Sequence, residues 1–127
     1  MFPKGSLFIN ISLLFLFAFF GCVSSSGDIE IIGSWQIDDN VFTITNDEIT
    51  ISDYAKGTVV KYDNDNDYAV IYFDEHVSPG VNQKYVKVAW INLTETNVTL
   101  NWYEPQDSLE LAEAATSIFE TDEFEKL

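Results

Sequence analysis

The sequence predicts a mainly β protein: an antiparallel meander of about seven strands that closes, or nearly closes, into a small barrel, with one C-terminal helix. Three observations carry this. From Ile31 onward, short runs rich in Val, Ile, Thr and Tyr alternate apolar and polar residues with period two, the spacing of half-buried strands. Clusters of Asn, Asp, Gly and Pro separate the runs and suit tight turns between antiparallel neighbours. After Pro105 the apolar spacing becomes that of a helix.

The first 22 residues read differently. Lys4 gives a positive start, Leu7 to Phe20 an apolar core broken only by Asn10 and Ser12, and Gly21 precedes Cys22, the single cysteine. A lone cysteine beside a small residue needs an explanation other than a disulfide. The stretch Ala18-Phe19-Phe20-Gly21-Cys22 resembles the lipobox of bacterial lipoproteins, with Phe19 where that family usually carries leucine. The resemblance implies a signal peptide over residues 1–21, lipidation of Cys22 and attachment to a membrane through the lipid. Val23, rather than aspartate, follows the cysteine, which by the same resemblance implies the outer membrane of a bacterial envelope. Three other readings stay open. One is an ordinary secretory signal that leaves Cys22 a free thiol. Another is a membrane span, although a span needs about 20 apolar residues and this run is shorter. The third is a secreted glycoprotein with sequons at Asn92-Leu93-Thr94 and Asn97-Val98-Thr99.

Cleavage before Cys22 leaves 106 residues, one domain by length and enough to bury a core. All 21 acidic residues lie in this part, against five lysines and no arginine. Such a surface repels phosphate backbones, which excludes nucleic acid as a partner, and it is pushed away from anionic lipid. Residues 22–28 read as a lipidated, flexible tether.

Over residues 29–106 the strands are expected near 33–37, 41–45, 48–52, 57–62, 68–74, 85–93 and 98–103. Phe42 and Ile44 share a face, as do Ile49 and Ile51, and Val98, Leu100 and Trp102. The intervening turns fall at Asp38-Asp39-Asn40, Asn46-Asp47, residues 63–67, Ser78-Pro79-Gly80 and residues 94–97. Over residues 107–127, Asp107 followed by Glu110 reads as a capping box. It opens a helix over 108–119 with Leu111, Ala114 or Ala115, and Ile118 toward the sheet, and a frayed acidic tail follows from Thr121.

Gly33-Ser34-Trp35 resembles the Gly-x-Trp that opens the first strand of lipocalins and related calycin barrels. In that family the Trp closes one end of the barrel under an arginine from the last strand; this chain has no arginine to fill that place. The resemblance implies a carrier of a small apolar ligand. Short strands bearing large side chains point instead to a packed interior, with Trp35, Tyr72, Trp90 and Trp102 as the core or ligand-contacting aromatics. The first functional expectation is thus a non-catalytic module that contacts another envelope protein or a host protein. It goes with a filled barrel and an exposed aromatic patch. The alternative is the lipocalin-like carrier, which goes with a cavity open at the end opposite Trp35.

Two stretches carry chemistry on paper. Asp63, Asp65, Asp67 and Asp74 match the first three and the twelfth positions of a calcium loop. Tyr68, however, occupies the place that needs glycine, and the flanks read as strands. A polar hairpin loop is the plainer account. His76, the only histidine, lies beside Asp74, Glu75 and Ser78, but residues so close in sequence rarely form a hydrolytic triad, and no nucleophile elbow is present. No enzyme activity and no cofactor are expected.

Overall fold

A computed structural model describes residues 27–127; Cys22 and the lipobox lie outside the described residues. Eight strands follow in order: β1 (Gly33–Ile37), β2 (Asn40–Ile44), β3 (Glu48–Ile51), β4 (Ala55–Asp63), β5 (Tyr68–His76), β6 (Tyr85–Ile91), β7 (Asn97–Tyr103) and, after helix α1 (Leu109–Ala114), β8 (Ile118–Lys126). They form a closed antiparallel barrel in which each strand pairs with its sequence neighbour and β8 pairs with both β7 and β1.

The period-two pattern is realised as burial. Phe42 and Ile44, Ile49 and Ile51, Ala69, Ile71 and Phe73, Val86, Val88 and Trp90, and Val98 and Leu100 point inward, and the residues between them are exposed or half-buried, except the fully buried Val70. Gly57 has a physical reason. It follows an irregularity in the β4–β5 register, and a Cβ there would sit 2.7 Å from Ile71 Cγ2 and 2.9 Å from the Tyr72 carbonyl. Only glycine lets the two strands approach at that point.

The last part of the chain departs from expectation. The helix is six residues long and stops at Ala115, whose φ of −62° and ψ of 138° are extended. Ser108, not Asp107, caps it, its Oγ accepting from the Leu111 N–H at 3.2 Å. Leu111 and Ile118 are half exposed, and Ala112 is the helical residue that is buried. The supposed frayed tail is β8, so residues 107–127 are not an appendage to the barrel. Seven strands leave two open edges with unpaired backbone groups, and the eighth satisfies both.

Helix α1 sits outside the barrel over β5 and β6. Val70, fully buried but outside the interior cluster, faces outward on β5 with Tyr68 and Tyr72. Glu113 fastens the helix. Its carboxylate pairs with Lys61 and accepts from Tyr68 Oη at 2.8 Å, and its carbonyl accepts from Lys87 Nζ at 3.1 Å. The two side-chain donors hold the Glu113 carboxyl below its usual range, and the Glu113 hydrogen bond raises Lys61.

One barrel end is plugged by the segment before β1. Ile29 and Ile31 are fully buried, and the Ile31 carbonyl accepts from Trp35 Nε1 at 2.8 Å. Trp90 Nε1 donates to Glu30 Oε1 at 3.0 Å, and the Ile29 N–H donates to Asn46 Oδ1 at 2.9 Å. The expected flexible tether is fastened at its end: the Gly27 carbonyl accepts from Tyr62 Oη, and Asp28 accepts from Asn46 and Asn64. Among the described residues, no helix is long and apolar enough to cross a membrane.

Candidate functional site

The other end of the barrel is open. Its rim consists of the β1–β2 turn at Asp38, the β3–β4 turn at Tyr54, the β5–β6 loop after His76 and the approach to β8 at Phe119. Inside lies a cavity of about 410 Å³, floored by Phe42, Ile51, Phe73, Val86 and Phe124 and flanked by Trp102. That volume falls in the range of small-molecule sites, about 300–1,000 Å³. The strands here carry large residues, yet the interior is not filled at this end, contrary to the expectation of a packed barrel. The reason is positional. The biggest side chains, Trp35 and Trp90, are drawn to the plugged end by their bonds to the Ile31 carbonyl and to Glu30.

The four aromatics singled out from sequence have different fates. Trp35 and Trp90 are buried in the core and Trp102 lines the cavity. Tyr72 does neither; it faces outward on β5 and packs on Tyr85, ring centres 5.0 Å apart. The one-residue step from Ile71 turns it to the other side of the sheet.

Two of the cavity residues from β8 are acidic. Glu120, Asp122 and Phe124 pair with Trp102, Leu100 and Val98 of β7, and paired residues share a face, so both carboxylates stand on the interior side. The two carboxyls lie within hydrogen-bond reach of each other. A hydrogen bond to Asp122, with burial and the neighbouring charge adding to it, pushes Glu120 up to about 7. Tyr54, opposite, is raised by burial first and then by the charges of Glu120 and Asp122. His76 closes this side of the rim, edge-on to Phe73 at 5.1 Å and to Tyr54 at 5.6 Å. Its Nδ1 accepts from the Ser78 N–H at 3.0 Å, and burial pushes its pKa down.

The residues of the two chemical-looking stretches do not gather. Asp74 Oδ2 accepts from Thr58 Oγ1, and Ser78 meets His76 through its backbone N–H, so no Asp–His–Ser relay is aligned. Asp63 closes its own hairpin loop. Its Oδ1 accepts from the N–H groups of Asp65 and Asn66, and its Oδ2 accepts from Asn66 Nδ2. Those three bonds, the Asn66 side-chain bond foremost, keep the Asp63 carboxyl below its usual range. Asp74 lies near the opposite end of β5 from the loop that holds Asp63, Asp65 and Asp67. The candidate calcium set therefore does not assemble. Among the described residues, no three His, Cys, Asp or Glu side chains come together as metal ligands.

Sequence reasoning missed Tyr54, Glu120 and Asp122. Once Phe124 is known to point inward, counting back by twos reaches Asp122 and Glu120, but no apolar alternation in the sequence marks Phe124 as part of a strand. The fold and site define a closed eight-stranded antiparallel barrel, plugged at one end and open to an aromatic, acid-rimmed cavity at the other. Comparison with protein families, with curated proteins and with solved structures finds no match for this chain.

Proposed function

We propose that this protein is a lipid-anchored envelope protein of lipocalin-like type that binds a small, largely apolar ligand in the open end of its barrel. The observation that carries the reading is the cavity of about 410 Å³ opposite Trp35, with an aromatic floor and a few polar groups at its rim. An interaction module needs no such void, and a filled core would be more stable without it. The proposed anchor is compatible with the same reading. The chain enters the barrel at the plugged end, where Gly27 and Asp28 are held, so a lipid on Cys22 sets the open mouth away from the bilayer. On this reading the anchor is the cell-envelope address and the barrel is the carrier.

The test is native mass spectrometry of the full chain extracted from its membrane in mild detergent. A stoichiometric extra mass, lost on organic extraction and absent from Val86→Trp, is expected. A bare mass that also takes up no added apolar probe would overturn the reading. Retention in the membrane after Cys22→Ser would overturn the anchoring part separately.

A further inference from the structure

We infer that the ligand of this cavity carries a protonated amine on a ring-sized apolar body, the amine held at the mouth by Glu120 and Asp122. This rests on the carrier reading above and goes further, naming the chemical class.

The argument begins with where these carboxylates stand. A barrel strand that serves only packing places apolar residues inward, as Phe124 does; β8 places Asp122 and Glu120 there instead, at the lip of an apolar cavity. Among the described residues, nothing balances them. The chain has no arginine. Lys61 pairs with Glu113 and Lys84 with Asp107, while Lys87 lies over the Tyr103 ring, 4.4 Å from its centre, and bonds the Glu113 carbonyl. Lys126 is at the plugged end over Trp35, and Lys56 is paired in register with Glu75. Among the described residues, no lysine lines the cavity. The one basic residue there, His76, uses Nδ1 as an acceptor and is kept neutral by burial.

An uncompensated pair at the edge of a low-dielectric cavity attracts a cation more strongly than the same pair in water and repels an anion. Asp38, across the rim, adds to the same field. The aromatic partner is also in place. Trp102 is paired with Glu120 in register, so an indole stands beside the carboxylates, the combination that recognises ammonium groups.

Isothermal titration of the full chain in non-ionic detergent with tryptamine, tryptophol and indole-3-acetate tests this, with matching micelle blanks. These three share one ring system and differ in charge. Tryptamine should bind at least about tenfold more tightly than tryptophol, the equivalent of one modest ion pair. Indole-3-acetate should bind more weakly than either. The preference should vanish in the double variant Glu120→Gln, Asp122→Asn and should weaken with salt. It should also strengthen as pH rises through about 7, where Glu120 ionises. The other charged and titratable groups facing the site are Asp38, Asp122, Tyr54, which burial raises, and His76, which burial lowers; protonating His76 at low pH would repel the amine, the same sign as Glu120. Equal binding of tryptamine and tryptophol, abolished for both by Val86→Trp, would overturn the amine inference and leave the carrier reading standing. Absence of binding by all three would overturn both.

Discussion

The ammonium of Lys126 lies 4.5 Å from the centre of the Trp35 ring, and the two residues are paired across the β8–β1 ladder. The same Nζ donates to the Ile32 carbonyl at 2.8 Å. This is where the barrel closes, through a two-residue pairing of β8 with β1. The Gly-x-Trp resemblance implied an arginine from the last strand over this tryptophan; the residue found there is a lysine. Gly33 is part of the arrangement. Its φ is 125°, and a Cβ would run into the Lys126 side chain.

Lys126→Ala should lower unfolding stability by about 1 kcal/mol, the scale of a partly exposed cation–π contact. Lys126→Arg should restore it. Denaturant melts of the three proteins check this, and equal midpoints would show that closure does not use the cation.

Phe124→Ala should cost about 3–5 kcal/mol, the range for truncating a buried aromatic. Phe124 is 6 % exposed and meets Phe42 edge-on, ring centres 4.8 Å apart. A frayed tail would lose almost nothing, so chemical denaturation separates the two pictures of the C-terminus directly.

Glu120→Gln should change how stability depends on pH. The carboxyl is raised from 4.5 to about 7 in the folded protein. Between those values the folded state binds more protons than the unfolded one, so stability falls as pH rises from about 4.5 to about 7 and is flat above. The group is largely open to solvent, and screening reduces the effect to at most about 1 kcal/mol. The variant should lose that part of the slope and equal or exceed the parent at pH 8. Parallel melts from pH 4 to 8 give the difference; identical slopes would mean that the Glu120–Asp122 hydrogen bond is absent.

His76 contributes with the opposite sign. Burial lowers its pKa from 6.5, so the unfolded chain binds the extra proton and stability falls as pH drops below about 6.5. Protonation also removes Nδ1 as acceptor for the Ser78 N–H. The imidazole resonances, followed by NMR titration, should show a midpoint below 6.5, and a midpoint above it would contradict the buried, neutral ring.

Glu113→Gln should loosen α1 without opening the barrel. Lys61 and Tyr68 lose an anionic partner, while Ala112 and Val70 keep their packing. Amide exchange over residues 108–115 should quicken while exchange in β6 is unchanged. Loss of protection in both would mean that the helix is integral to the barrel wall.

Much of the fold was legible in the sequence for one reason: a barrel wall with one wet face writes its geometry as alternation. Val86, Val88 and Trp90, or Val98 and Leu100, need no tertiary knowledge to be assigned inward. The turns were legible because Asn, Asp and Gly serve backbone conformations that other residues avoid, as at Asp38, with φ of 52°. The eighth strand was not legible. Ile118–Lys126 carries four acidic residues and buries only Phe124, so its alternation is between two polar faces, one toward solvent and one toward a cavity. Hydrophobic periodicity has no means of marking such a strand. The same lack of contrast hid Glu120 and Asp122. Tyr72 was misjudged because an apolar run such as Tyr68–Phe73 reads alike whether its outer face meets water or a helix, and α1 covers Val70 there.

By itself, then, the sequence determined the class of fold, the order of seven strands, their inward faces and the chemistry of their turns, because each depends on residues close together in the chain. The tertiary structure alone decided that β8 completes the barrel, that Lys126 serves Trp35, and that two carboxylates meet at the mouth of an unfilled cavity. Those depend on pairings between the last ten residues and strands far earlier in the chain, Lys126 with Trp35 the most distant, set by the need to satisfy two open sheet edges at once.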